Sequence, residues 1–140
     1  MDNYVIELIK YRLKKAFDEL ELAEYCINDR KYSKSLNCSY YAIFHSARAL
    51  LAIEKLDFKK HSGVIAYFIK KYINTNILDN ELGEIIRSAE RERNKSDYQD
   101  FYTISKDEAL EQVIKAKLFF TKVDEYIKNI IVMESAKERE

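Results

Sequence analysis

Proline is absent from these 140 residues, and glycine occurs only twice, at Gly63 and Gly83. The two residues that punctuate sheets and long loops are therefore almost missing, which points to a helical chain. Phosphate-cradling loops need several glycines so that backbone N–H groups can approach the ligand, so two isolated ones exclude the P-loop and the dinucleotide fingerprint. The sequence holds no G-x-S-x-G elbow and no H-E-x-x-H pair. A di-iron bundle would require Glu-x-x-His motifs, but Ala42 and Phe58 stand three residues before His45 and His61. Cys26 and Cys38 form no CxxC pair and read as small hydrophobes rather than zinc ligands. Neither a metal nor a cofactor is expected.

Net charge is also missing. Lys plus Arg number 24 and Asp plus Glu number 24, so any nucleic-acid site must be local rather than spread over a basic surface. No stretch approaches the roughly 18 apolar residues of a membrane span, and the opening MDNYVIELIKYRLKK lacks the apolar centre of a signal peptide. The expectation is a cytoplasmic protein.

What is present is helical periodicity. Residues 3–28 carry Val5, Ile9, Leu13, Ala16, Phe17, Leu20, Ala23 and Ile27 at spacings of three and four, one stripe along a helix. Residues 32–55 differ: Leu36, Tyr40, Ile43, Ala47, Leu50 and Glu54 share one face, and Tyr41, His45, Arg48 and Ala52 the other. Because CSYYAIFHSARALLAI is apolar nearly all round, this helix must be central, or covered on one side by a second copy. Val64, Ile65, Phe68, Ile69 and Tyr72 predict a third helix over 61–74. Asp79 is a suitable N-cap for a fourth, and residues 97–103 read as the irregular connection to a fifth. That last helix opens on Ser105 and Glu108, the S-x-x-E capping spacing. The prediction is an all-α, antiparallel up-and-down bundle of four to five helices, one domain over residues 1–133, with 134–140 as a frayed tail.

One constellation carries chemistry. At 100° per residue Arg93 continues the stripe of Leu82, Ile86 and Ala89, with Asp97 a turn further on, while Arg87, Arg91 and Tyr98 project to the opposite side. Two readings are open: an i, i+4 ion pair where the stripe leaves the core, or a guanidinium reaching into a cleft to bind a phosphate or base through its planar fork. Tyr98, Phe101 and Tyr102 are candidate stacking platforms, or core packing. His45, among apolar neighbours, reads as a buried or interface histidine or as a base. His61 reads as a capping or surface residue beside Lys59 and Lys60.

The run SYYAIFHSARALLAIEKLDFKKHSGVIAYFIKKYI, followed by Arg93, Asp97 and Tyr98, resembles a prokaryotic branch of the HEPN (higher eukaryotes and prokaryotes nucleotide-binding) superfamily. The resemblance implies a homodimeric helical bundle, nucleotide or RNA as ligand, and a minimal nucleotidyltransferase as partner in a toxin–antitoxin type of system. It further implies Arg93, Asp97, Tyr98, Tyr41 and His45 as binding candidates, with Arg93 and Asp97 the candidates for catalysis. Many members are metal-independent ribonucleases that use Arg, four to six variable residues, then His. Here Ser96 stands five residues after Arg91, Tyr98 seven after it, and no histidine follows Arg93. An ordinary Asp is about three units too acidic for general base work near neutral pH, so a binding module is favoured over a ribonuclease toxin. In related toxins the motif tyrosine accepts an adenylyl group, which makes Tyr98 the candidate for modification.

Overall fold

A computed structural model describes residues 1–139, and the last position of the expected tail, Glu140, lies outside the described residues. Among the described residues five helices follow one another: α1 (Asn3–Asn28), α2 (Tyr32–Ile53), α3 (His61–Phe68), α4 (Asn80–Tyr98) and α5 (Lys106–Glu138). A π-helical turn at Ile69–Ile73 extends α3. The protein is an all-α bundle. Asp2 caps α1 by accepting from the Val5 N–H at 2.9 Å, and Ser105 caps α5 by accepting from the Glu108 N–H at 3.1 Å. Asp79 occupies the N-cap of α4 without a side-chain capping bond to a described residue.

The doubly apolar second helix is largely covered from within the chain: α2 packs against α1, α3, α4 and α5. Tyr40, Ile43, Ala47 and Leu50 are wholly enclosed, as are Ala42, Ala49 and Leu51 on its other sides. One stripe of α2 stays half-buried, at Tyr41, His45 and Arg48. Glu54, which falls on the apolar stripe, is held there by hydroxyl donors. Tyr67 and Tyr72 each donate to its carboxylate at 3.1 Å, and Lys71 lies 3.4 Å away. Burial, with Glu54 beside it, raises the Tyr72 hydroxyl well above its ordinary range. The wider π turn lets Ile69, Tyr72 and Ile73 all face inward.

Both glycines serve close approach rather than turns. A Cβ at Gly83 would stand 3.1 Å from the Ile73 side chain, and one at Gly63 3.0 Å from Phe58. The left-handed turn positions fall instead on Arg30, Lys55, Asn76 and Phe101. After α1 and α2 they close paired C-terminal bonds: Lys31 N–H to Cys26 and Arg30 N–H to Ile27, then Leu56 N–H to Leu51 and Lys55 N–H to Ala52.

Two boundaries differ from the sequence reading. Helix α4 continues through Asp97 and Tyr98, so the irregular connection begins at Gln99 rather than 97. Helix α5 runs to Glu138 rather than fraying from Glu134, because the Met1 amino group sits 3.0 Å from both Glu134 and Glu138. Cys26 and Cys38 are both buried and free, and burial, ahead of the nearby Glu19, pushes the Cys38 thiol up to about 12. It is an inert packing group.

Two substitutions test this packing. Phe68→Ala, at a ring with no solvent exposure, is expected to cost about 3–5 kcal/mol in urea unfolding. Arg30→Gly relieves a left-handed position at φ 61° and is expected to raise stability by up to about 1 kcal/mol.

Candidate functional site

Successive turns of α2 stack Tyr40 on Phe44 and Tyr41 on His45, with ring centroids 6.0 and 5.9 Å apart. The first residue of α3 closes this row. His61 lies 4.0 Å from the Phe44 ring, centroid to centroid, and its Nδ1 is 3.1 Å from the Tyr40 hydroxyl. Burial, opposed in part by Arg93, pushes the Tyr40 hydroxyl up to about 12, so it keeps its proton; whether it donates to Nδ1 or accepts from an Nδ1–H follows the His61 tautomer. A neutral His61 carries one proton, on Nε2 if the hydroxyl donates and on Nδ1 if it accepts. Burial first, then Arg93 and Arg48, hold His61 below its ordinary pKa.

Helix α4 supplies the guanidinium. Arg93 Cζ lies 5.0 Å from the Tyr40 ring and 5.5 Å from the Tyr41 ring, within cation–π range of both. One Nη is 3.4 Å from the Tyr41 hydroxyl. The Nε is 3.1 Å from Asp97 Oδ2, but its buried N–H makes no hydrogen bond among the described residues. The contact is an ion pair by distance, and a donor stays unused. Both sequence readings of Arg93 therefore describe part of one arrangement: an i, i+4 ion pair, and a half-buried fork set against aromatic rings.

The next turn of α2 adds charge. Arg48 grips Asp57 at 2.7 and 3.4 Å. Arg12, only 7% exposed, reaches the same carboxylate at 3.4 Å and donates to the Arg48 carbonyl at 2.9 Å. Burial alone would raise Asp57, but hydrogen bonds from Arg48 and the Phe58 N–H outweigh it and hold the carboxyl below its usual value. Arg93, Arg48, Arg12 and Lys15 are thus set against three carboxylates, Asp57, Asp97 and Glu90, the last acting on Tyr40. His45 feels the excess. Burial first, then Lys15 and Arg48, bring it down to about 4, and its buried Nδ1 has no partner among the described residues.

Of the residues singled out in the sequence, Arg93, Asp97, Tyr41 and His45 belong to this cluster. Tyr98 does not. It is 79% exposed and lines a shallow groove of about 520 Å³ with Arg87, Arg91 and Asn94 on another side of α4. Tyr102 donates to Glu92 at 2.9 Å and packs against a smaller apolar cluster around Leu36 and Val113. Phe101 is fully exposed at a left-handed backbone position. His61 and Tyr40 are the residues that the sequence reading missed. The available signal was Tyr40 itself, a hydroxyl on the apolar stripe of α2 that needed a partner.

The depressed histidines have a sign. Above the ordinary histidine value near 6.5 neither folded nor unfolded chain binds these protons, and the contribution to stability is complete. As pH falls from there toward 4, the unfolded chain takes them up first and the fold loses stability. Urea midpoints measured across that window should fall, and His45→Gln should flatten the decline.

A protein of Methanocaldococcus jannaschii named "Putative toxin MJ0142" is 37% identical over 135 residues, covering 95% of this chain and 91% of its own. A second from that organism, "Putative toxin MJ0605", is 31% identical over 131 residues, covering 94% and 97%. A "UPF0332 protein" of Thermotoga maritima is 27% identical over 124 residues, covering 89% and 94%. The family profile described as HEPN domain matches residues 9–126, a span that takes in α2, α3, α4 and the whole aromatic and arginine cluster, and the chain belongs to the HEPN domain family.

Proposed function

We propose that this HEPN protein is a toxin-like module that binds a nucleotide or single-stranded RNA as a homodimer and acts with a minimal nucleotidyltransferase. The observation that carries the reading is the Arg93 guanidinium, held against Tyr40 and Tyr41 with an Nε–H unused. A planar fork with free donors suits a phosphate, and the local excess of cations around His45 favours an anion over a neutral ligand. The toxin names of two relatives fit this role. Tyr98, exposed beside Arg87 and Arg91, is accessible to a partner enzyme, and the two cations would attract the triphosphate of an incoming nucleotide. It is the proposed acceptor of an adenylyl group.

A second reading, a metal-independent ribonuclease, draws on His61. Neither substitute base suggested by the sequence is suited to proton abstraction, since Asp97 is paired with Arg93 and His45 is brought down to about 4. His61 is neutral, set in the same aromatic row, and bonded through Nδ1 to Tyr40. With its proton on Nδ1, directed at the Tyr40 oxygen, His61 would take the proton of a 2′-hydroxyl on Nε2 as that oxygen attacks phosphorus and the 5′-oxygen leaves, protonated by water.

Fluorescence anisotropy with a short labelled RNA is the primary test. Arg93→Ala should weaken binding by at least about tenfold, roughly 1.4 kcal/mol, and should reduce the salt dependence. Unchanged affinity would remove the site. Incubation with a nucleotidyltransferase and labelled ATP should mark the wild type and spare Tyr98→Phe. RNA cleavage in the presence of a chelator, lost in both Arg93→Ala and His61→Ala, would establish the second reading in place of the first.

A further inference from the structure

The end of α4 and the start of α5 face each other across a hollow of about 370 Å³, which Leu36 of α2 and Tyr102 of the connecting segment also line. Its volume is that of a small-molecule site. Helical spacing brings polar side chains to it from both walls: Ser88, Glu92 and Lys95 stand four and three apart on α4, and Glu108, Gln112 and Lys115 four and three apart on α5. Arg93 leaves α4 about 100° round the helix from Glu92, and none of the aromatic and arginine cluster lines the hollow.

Two of its features call for a ligand. Gln112 is only 7% exposed, yet it lines the hollow and its amide makes no hydrogen bond to another described residue. A buried amide without a partner opposes folding, so a group that enters the hollow and pairs with it is favoured. The second feature is the sign of the spare charge. Each lysine is already matched, Lys95 lying 3.6 Å from Glu92 and Lys115 3.0 Å from Glu111. The other oxygen of Glu92 accepts from the Tyr102 hydroxyl at 2.9 Å. Glu108 remains. Its own N–H is held by Ser105, and its carboxylate enters no ion pair with a described residue. The hydrogen bond to Glu92, then burial, then the charges of Glu92 and Glu108 raise the Tyr102 hydroxyl above its ordinary value, so the Glu108 charge is felt inside the hollow. Three carboxylates against two ammonium groups repel a phosphate and attract a cation. Among the described residues no three acidic, histidine or cysteine side chains are grouped to hold a metal ion, which leaves an organic cation.

We infer that the hollow between α4 and α5 binds an alkylguanidinium, with Gln112 Oε1 and the Glu108 carboxylate as its acceptors. A guanidinium is planar, always charged, and presents its N–H donors in a fixed fork, so one group serves an amide oxygen and a carboxylate together. A lysine-type ammonium has no such plane. Leu36 and the Tyr102 ring offer apolar surface to the alkyl chain. A free arginine derivative and an arginine side chain of another protein share this chemistry. The site stands apart from the RNA reading at Arg93 and does not rest on it.

Titration calorimetry on the intact chain tests it, with agmatine, decarboxylated arginine, as the probe. Agmatine should bind the wild type. Glu108→Gln, at an exposed position, should weaken that binding by at least about tenfold, and so should Gln112→Leu. Because Gln112→Leu removes an unpartnered amide, it should not lower the urea midpoint, which separates lost binding from lost folding. 1,4-Diaminobutane, which has ammonium groups and no fork, should bind at least about tenfold more weakly than agmatine. A capped tripeptide with arginine between two glycines reports the source: affinity equal to that of agmatine assigns an arginine side chain, and weaker affinity a free small molecule. No binding of agmatine to the wild type, an affinity unchanged in either variant, or displacement of agmatine by inorganic phosphate would overturn the site. Glu108→Gln should bind the labelled RNA as the wild type does, so failure here and failure of the Arg93 reading are seen in different measurements.

Discussion

A helix with almost no water-facing side has to be enclosed, and the enclosure of α2 is the constraint on which the rest of this protein depends. Four other helices surround it. The residues facing them do two jobs along one axis. Ile43, Ala47 and Leu50 are core, and between and beyond them stand polar groups that burial alone would penalise: Tyr40 toward one end and Glu54 at the other. Each is answered by a residue from the α3 segment, His61 for Tyr40 and the Tyr67 and Tyr72 hydroxyls for Glu54. A buried polar atom without such a partner costs on the order of 1–3 kcal/mol, so these contacts fix where α3 begins and how its π turn is rotated.

The same requirement shapes the neighbourhood of Arg93. Two tyrosine rings at 5.0 and 5.5 Å attract the guanidinium electrostatically, each by about 0.5–1 kcal/mol, without using its hydrogen-bond donors. Asp97 compensates charge at 3.1 Å yet leaves the Nε–H unsatisfied. Such a side chain is held in place by its neighbours and still has a donor to offer. Arg48 and Arg12 make the contrast. They converge on Asp57, and Arg12 also on a backbone carbonyl, so their donors are largely spent within the fold.

Much of this was legible in the chain before folding. The stripes of α1, α4 and α5, the all-round apolarity of α2 and the inward phase of Arg93 follow from a fixed rotation per residue, which local geometry imposes on any helix. Ser105 announced its own cap. What could not be read were the places where a non-local contact overrides a local signal. The connection after α4 looks polar from Asp97 onward, yet Asp97 stays helical, paired with Arg93 on the preceding turn. The last residues have no apolar face, and two of their carboxylates meet the amino group of Met1, far away in sequence. Two helices end in the left-handed conformation without glycine, and no composition rule flags Arg30 or Lys55 for it.

The division is clearest at the candidate site. Sequence by itself determined the helical class, the absence of glycine-rich phosphate loops, and the alignment of Arg93 and Asp97 on one face, because all three depend on neighbours within a few residues. Only tertiary structure decided that His61 joins Tyr40 and Arg93, and that Tyr98 belongs to a separate groove. Those outcomes depend on how helices distant in sequence are set against one another, and a one-dimensional pattern carries no record of the angle at which two of its segments meet.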